Sequence, residues 1–389
     1  MCEYIIIAHL VYFVNSTLFT LFIDLVTIFL YITLSYYILC YNIFMRILAL
    51  ESSCDETALT ILNAQADSLV LEKDQVYSQV DIHQQFGGVV PEVAARQHAE
   101  TIIPLLSANI KSEEKVDYLA VTTGPGLITS LLLGVTAAKT LAYAKNTPLV
   151  TVNHMEGHIY SNWLSNDELV KNANKYFPSL VLIVSGGHTE LVLMKGHGDY
   201  QLLGSTVDDA VGEAFDKVAK LLDLGYPGGP IVSQRANDGD CSIYDLPRPM
   251  INSGDYNFSF SGLKTAVLYT LERKKKINTE DVDNVCASFQ NAVVDILVNK
   301  TMKAAQEFGV KSIMLAGGVA ANNQLKESLQ QEARIKDLPF FFPELKYSGD
   351  NAAMISVAAY YNILNKKNII SGKDLLSVAP QSNWQLFKK

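Results

Sequence analysis

Apolar residues along this chain come in short runs divided by polar, glycine-rich turns, a pattern that predicts strands alternating with helices. Ile47-Leu48-Ala49-Leu50 leads into the polar stretch 51–57, and Ala58 to Leu62 is apolar again, which predicts strand, turn, strand. The plan returns about 130 residues later in Leu180–Val184, the turn 185–190 and Leu191–Met194, a hint of two similar halves. Both turns are dense in hydroxyls and acceptors. The second also carries Gly186-Gly187, which lets a ligand come close to the backbone. Taken singly, either turn is an ordinary hairpin loop.

Between and after the hairpins the same reading continues. Gly87-Gly88 turns the chain into a helix with Pro91 near its start, on which Arg96 and His98 read as surface residues. Tyr118–Thr123 predicts a strand, Gly124-Pro125-Gly126 breaks it, and Leu127–Ala144 predicts a helix whose Gly134, Ala137 and Ala138 allow close packing. The glycines and the start of that helix offer an anion site. The stretch 165–178, with three Asn and two Lys, reads as a surface insertion. Asp208–Leu222 has helical periodicity, and Tyr226-Pro227-Gly228-Gly229-Pro230 halts the chain after it. Asp216 on that helix is either solvated or a ligand contact near the glycine turn. Ser312–Ala316 predicts a buried strand ending in Gly317-Gly318, with a helix from about Asn323. A nucleotide can lie on such bare backbone, where Asn322 can bond a sugar or base. Asp350 stands at the mouth of a further small-residue helix.

One segment holds the sharpest chemistry. The apolar run 148–152 predicts a strand, Asn153 a helix cap, and His154 and His158 then leave one helix face. At that spacing their Cβ atoms lie roughly 5–6 Å apart, close enough for both rings to bind one metal ion. Asp350 is the best third ligand from elsewhere in the chain, although taken by itself its position reads as a helix N-cap. A zinc-protease reading needs a glutamate directly after the first histidine. Glu156 stands two residues on, about 200° around the helix, and points away.

Charge narrows the partners. With 31 basic against 40 acidic residues the net charge is −9, so a broad basic surface is absent and a nucleic-acid partner must meet a local patch or a second protein. Arg273-Lys274-Lys275-Lys276 is the dense basic run, either a solvated helix end or a phosphate contact. The five cysteines are scattered and form no C-x-x-C pair, as expected of reduced thiols in a cytosolic protein. Residues 1–44 are dominated by apolar side chains, with only Glu3 and Asp24 charged. Ser16–Cys40 is long enough to span a bilayer, but there is no basic n-region or cleavage site. A membrane anchor competes with an upstream extension of the reading frame, translation starting at Met45. The latter is favoured, since nothing downstream needs a membrane.

Ten ordered motifs now agree. SSCDET, GGVVPEVAARQH, GPGLITSLLLG, NHMEGH, VSGGHTEL, DDAVGEAFDK, YPGGP, NFSFSGLKTA, GGVAAN and GDNAAMI together resemble the tRNA N6-adenosine threonylcarbamoyltransferase family, over Met45 to about Leu364. The resemblance implies an α/β fold like that of actin, sugar kinases and heat-shock ATPases: a first half at 45–155, a second at 156–389 and a nucleotide cleft. It implies that His154, His158 and Asp350 hold a divalent metal, Fe(II) by preference and Zn(II) as the alternative. Val184, Ser185, Gly186, Gly187 and His188 match the family's substrate loop, and Asp216, Gly229 and Asn322 its other substrate contacts. Ala352 stands where glycine is usual, and 165–178 looks longer than typical. The implied reaction moves a threonylcarbamoyl group from threonylcarbamoyl-AMP to N6 of the adenosine beside the tRNA anticodon. Asp55 and Glu56 are the candidate general bases, with Glu56 preferred. The implied partners are a paralogous, inactive-like dimer partner and a P-loop ATPase, with the cytoplasm as the location. A carbohydrate kinase of the same fold and a non-catalytic scaffold are the competing readings.

Overall fold

The computed structural model describes residues 44–111, 113–274 and 277–386; the stretch 1–43, and with it the membrane and start-site readings, lies outside them. Among the described residues no helix is long and apolar enough to cross a membrane. Residues 45–64 and 68–389 form one compact unit, and it contains two sheets.

In the first sheet the order is β11-β5-β4-β1-β2-β3, from β1 (Met45–Glu51), β2 (Glu56–Gln65), β3 (Ser68–Ser78), β4 (Tyr118–Gly124), β5 (Leu149–Asn153) and β11 (Ile369–Ile370). The second sheet has the order β10-β9-β6-β7-β8, from β6 (Ser179–Val184), β7 (Thr189–Gly196), β8 (Asp199–Ser205), β9 (Ser312–Ala316) and β10 (Phe340–Phe341). The two share a plan. β1 pairs antiparallel with β2 and parallel with β4, while β6 pairs antiparallel with β7 and parallel with β9. The repetition hinted at by the two hairpin patterns is therefore a repetition of topology.

Helices α1 (Val80–Gln84), α2 (Pro91–Asn109) and α3 (Ile128–Lys145) belong to the first half, and α4 (His154–Tyr160) follows β5. After α5 (Asp167–Asn172) the second half adds α6 (Val211–Leu221), α7 (Gly228–Ala236), α8 (Ser261–Glu272), α9 (Thr279–Glu307) and α10 (Asn323–Ile335). The short α11 (Leu345–Ser348) leads to α12 (Ala352–Leu364).

The central strands read as unbroken apolar runs because both of their faces are covered. Leu48 and Leu50 of β1 face one outer core, and Leu180, Leu182 and Val184 of β6 face the other. Ile47 and Ala49 turn instead to a middle core that also receives Val181 and Ile183. That middle core is filled by α4 and α12, through Met155, Ile159, Met354 and Ile355. The helix carrying both histidines and the helix after Asp350 thus share the layer between the sheets.

Three expectations from the sequence are corrected here. Residues 165–178 are not a surface insertion: Leu169, Ala173, Tyr176 and Phe177 join the middle core, and the Asn and Lys residues mask this in the composition. His98 is wholly buried, not a surface residue, because it continues the stripe Ala94, His98, Ile102 at spacings of four on the inner face of α2. The Gly124–Gly126 loop is not an open anion site. Gly126 N–H donates to Ser382 O at 3.2 Å, and Gln381 N–H donates to Thr123 O at 2.7 Å, so the chain's own end lies across the loop. β11 likewise returns to pair with β5. The split at 155/156 stays a proposal, with residues 369–386 crossing back.

Candidate metal and substrate site

β5 ends at Asn153, whose side-chain oxygen accepts the Met155 N–H at 2.9 Å and starts α4. His154 and His158 leave the same face of that helix, with ring centroids 4.6 Å apart. Asn351, not Asp350, caps α12 by accepting the Met354 N–H at 2.8 Å. The Asp350 carboxylate is thereby left to face the rings, with Oδ1 3.3 Å from Nε2 of His154 and 3.3 Å from Nε2 of His158. One ligand atom from each of the three lies within 4.8 Å of the others. Close approach of the two helices depends on the residue between the histidines. A Cβ on Gly157 would stand 2.7 Å from Ile355 Cδ1. Glu156 turns the other way, accepting from Asn362 Nδ2 at 2.8 Å and the Tyr200 hydroxyl at 3.0 Å, and it ties α4 to α12. It stands apart from the ligand set, as the helical spacing required.

The donors fit a cation. Both ring nitrogens of His158 are buried without a hydrogen bond, since its 3.3 Å contact with Asp350 meets the distance for an ion pair but not the alignment of a hydrogen bond. Such orphaned nitrogens are costly in a folded interior, and a divalent ion at Nε2 would answer one of them. The Nδ1 of His154 is engaged from behind, 3.1 Å from Ser53 Oγ and 3.5 Å from Glu51 Oε2. That arrangement leaves Nε2 pointing at Asp350. Burial opposes protonation of His154, but Asp350 and Glu51 hold it well above the usual imidazole range. Burial wins at His158 and lowers it. Asp350 resists burial and stays well below the usual carboxylate range because of the two imidazoles.

Glu51 and Ser53 were not singled out from the sequence. Glu51 is buried, accepts the Ser53 N–H at 2.6 Å, and also takes the Thr122 hydroxyl. The available signal was a lone carboxylate at the carboxyl end of an apolar strand, where α/β proteins place their ligands. Glu56, in the same turn, accepts from Ser78 Oγ at 3.2 Å. Burial, followed by the charges of Asp350 and Asp55, pushes its carboxyl well above the ordinary range.

The second turn also lies near the cluster. Ser185 N–H donates to His188 O at 2.9 Å, and His188 N–H to Ser185 Oγ at 3.2 Å, closing the loop on itself. Gly186 and Gly187 are exposed, and nothing lies within 4 Å of where a Cβ would stand on either. Burial, then the neighbouring His154 and His158, lowers His188 to about 4, which sets this loop within electrostatic reach of the histidine pair. Val184 and Gly317 meet backbone to backbone, for a Cβ on Gly317 would be 2.3 Å from Val184 O. Asp216 accepts the Gly228 N–H at 2.7 Å, so it and Gly229 come together. Asn322 is committed within the fold. It accepts from Leu325 N–H at 2.9 Å and donates to Gln290 at 2.7 Å and Ser233 at 2.8 Å. Tyr226 is raised by burial, then by Asp55 and Asp216, one carboxylate from each half. Of the basic run, Lys274 pairs with Asp281, and residues 275–276 lie outside the described ones.

Comparison with known proteins identifies the family and the fold. A family model described as tRNA N6-adenosine threonylcarbamoyltransferase matches residues 71–357. A protein of that name from Dehalococcoides mccartyi is 48% identical over 327 residues, covering 83% of this chain and 95% of the relative. One from Carboxydothermus hydrogenoformans is 47% identical, covering 82% and 93% respectively. Among solved structures, HypF from T. kodakarensis is similar in fold at a TM-score of 0.55 and 14% identity, over 86% of this chain and 50% of HypF. A full-length HypF in a phosphate- and nucleotide-bound form gives 0.54 and 12%, over 82% and 46%.

Proposed function

The chain belongs to the tRNA N6-adenosine threonylcarbamoyltransferase family, and on that premise we propose that His154, His158 and Asp350 hold one divalent metal ion beside a glycine-lined adenylate site. Its fold is the actin and sugar-kinase type with two α/β halves. The enzyme transfers the threonylcarbamoyl group of threonylcarbamoyl-AMP to N6 of the adenosine next to the anticodon, in tRNAs reading codons that begin with A. The carbohydrate-kinase and scaffold readings give way to this membership.

The residues divide the work as follows. Gly317 and Gly318 form a ledge for the adenosine of the adenylate, with Asp216 and Gly229 alongside, and Asn322, its side chain engaged by Leu325, Gln290 and Ser233, holds the ledge in place from behind. Within the loop Val184 to His188, which Ser185 and His188 close on itself, Gly186 and Gly187 offer backbone donors to the carbamoyl and phosphate oxygens. When bound, the metal supplies Lewis-acid polarisation of an oxygen on the carbamoyl or phosphate group. Two histidines and one carboxylate suit Fe(II), with Zn(II) as the alternative. Adenine N6 is a weak nucleophile, so holding it in line with the carbamoyl carbon supplies much of the rate. As the new C–N bond forms, the C–O bond to phosphate breaks, AMP leaves, and Glu56 takes the proton from N6. Burial together with Asp350 and Asp55 gives the Glu56 carboxyl the proton affinity that this task needs.

An acidic chain of net charge −9 is a poor match for a phosphate backbone. We assign the missing contacts to the paralogous dimer partner and the P-loop ATPase of the same pathway. Cys54, Cys241 and Cys286 are free thiols, in keeping with the cytoplasm.

The observation that carries the metal assignment is the convergence of three donors within 4.8 Å around a buried imidazole that has no hydrogen bond of its own. The test mixes the chain, with and without residues 1–44, with threonylcarbamoyl-AMP, the partner proteins and unmodified tRNA, and measures the modified nucleoside. His154→Ala should lose both bound metal and product while melting as the parent does. Full product from a metal-free His154→Ala protein would overturn the assignment.

A further inference from the structure

The motif that runs from Gly87 to His98 takes no part in the chemistry above, yet its last residue lies directly beneath the first turn. The β1–β2 ladder ends with the pair Glu51 and Ala58, so residues 52–55 lie outside both strands, and Glu56 and Thr57 open β2 beyond the reach of β1. Three successive carbonyls of the turn are claimed by three different segments. Ser53 O accepts from Leu127 N–H at 2.8 Å, and Asp55 O accepts from Gln79 N–H at 3.1 Å. Cys54 O, between them, lies 2.9 Å from Nε2 of His98.

The other face of the same ring reaches the far end of the turn. Nδ1 of His98 is 2.7 Å from the Thr57 hydroxyl. A carbonyl only accepts, so Nε2 carries the proton, Nδ1 offers a lone pair, and the Thr57 hydroxyl donates. Burial lowers His98 and keeps the ring neutral, and the neutral ring in this tautomer satisfies all four groups. Cys54 and Thr57 flank the two carboxylates Asp55 and Glu56. A single rigid ring therefore spans the turn from its underside, and nothing else among the described residues joins those two positions.

We propose that His98 is a positioning residue: by bridging Cys54 and Thr57 it sets where the Glu56 carboxyl stands in the cleft, without touching substrate or metal ligands. The inference rests on the reading of Glu56 as the proton acceptor. Its buried hydroxyl partner gives a cleaner handle than the ring, since Thr57→Val preserves shape while removing the donor. A displacement of the carboxylate by about 1 Å is enough to cost a factor of about 100 in turnover.

The experiment is steady-state kinetics of the reconstituted enzyme carrying Thr57→Val, Thr57→Ser, His98→Asn or Glu56→Gln, with bound metal and melting temperature measured on each. Thr57→Val and His98→Asn should each lower kcat by about 100-fold, with KM for threonylcarbamoyl-AMP and metal content unchanged. Thr57→Ser, which keeps the hydroxyl, should recover most of kcat, and the Thr57→Val/His98→Asn double variant should be no worse than either single one. Equal kcat in Thr57→Val and Thr57→Ser, with Glu56→Gln inactive, sinks the clamp and leaves the role of Glu56 standing. Full turnover in Glu56→Gln sinks both.

Discussion

The turn between β1 and β2 and the turn between β6 and β7 occupy equivalent places in the two sheets, each at the end of a strand that also pairs in parallel, with β4 or β9. Each is backed by a helix that comes close through a glycine: a Cβ on Gly134 would stand 2.1 Å from Ser52 Oγ, and one on Gly212 2.7 Å from Ser185 O. They then diverge. The first turn is buried, carries Glu51, Asp55 and Glu56, and is tied down by His98, Gln79 and Leu127. The second closes on its own backbone and leaves Gly186 and Gly187 exposed. One frame, used twice, thus brings fixed carboxylates to the histidine pair from one turn and bare backbone from the other. On the proposed reading, holding an adenylate and taking a proton call for that inequality.

The comparison is broken most directly at Glu51, which joins the first turn to His154. Glu51→Gln keeps the shape and removes the charge behind Nδ1, and metal affinity should fall by about 10–100-fold in a metal titration. An unchanged affinity would reduce Glu51 to a structural acceptor.

A paired substitution sharpens the contrast. Ala at Gly134 meets a serine hydroxyl that can rotate, whereas Ala at Gly212 meets the Ser185 carbonyl and, at 2.8 Å, the Gly186 Cα. Gly212→Ala should raise KM for threonylcarbamoyl-AMP about tenfold through a shift worth about 1–3 kcal/mol, and Gly134→Ala should leave KM nearly as it was. Equal KM values for the two would mean the second turn is no more rigidly required than the first.

The smallest effect concerns Glu190, just past the second turn. Burial raises it from 4.5 to about 7, and its Oε2 has no hydrogen-bond partner. Because the folded state holds the proton more tightly than the unfolded chain, its stabilising contribution is complete below pH 4.5 and is lost as the pH rises through about 7. Glu190→Gln should therefore raise the unfolding free energy near pH 8 by about 1 kcal/mol, allowing for its partial exposure. Urea unfolding across that range checks it, and a gap that grows as the pH falls would contradict the assignment.

Much of this was legible before any coordinates. The hairpin pattern at Ile47–Leu62 and Leu180–Met194 became β1–β2 and β6–β7, and Asn153 caps a helix that starts at His154, as its side chain and position required. Asp350, picked out for its place at a helix mouth, does meet both rings. His98 was misread although its spacing from Ala94 and Ile102 held the answer, because a polar ring on a helix counts as surface until its partners are known. Glu51 gave little sign, since besides its near neighbour Ser53 its partners Thr122 and His154 come from a separate strand and a helix far along the chain.

By itself the sequence determined what depends on near neighbours: run lengths that make strands, the four-residue step that puts two imidazoles on one face, and a family resemblance carried by ordered motifs. Only the tertiary structure decided which groups meet across the two sheets. It laid the chain's end over Gly124–Gly126, buried Glu51 behind His154 and slid His98 under the first turn. The reason is physical: periodicity is set by bonds a few residues apart, whereas the partner of a buried polar group is chosen by packing of segments far apart in the chain, where each donor must find an acceptor once water is gone.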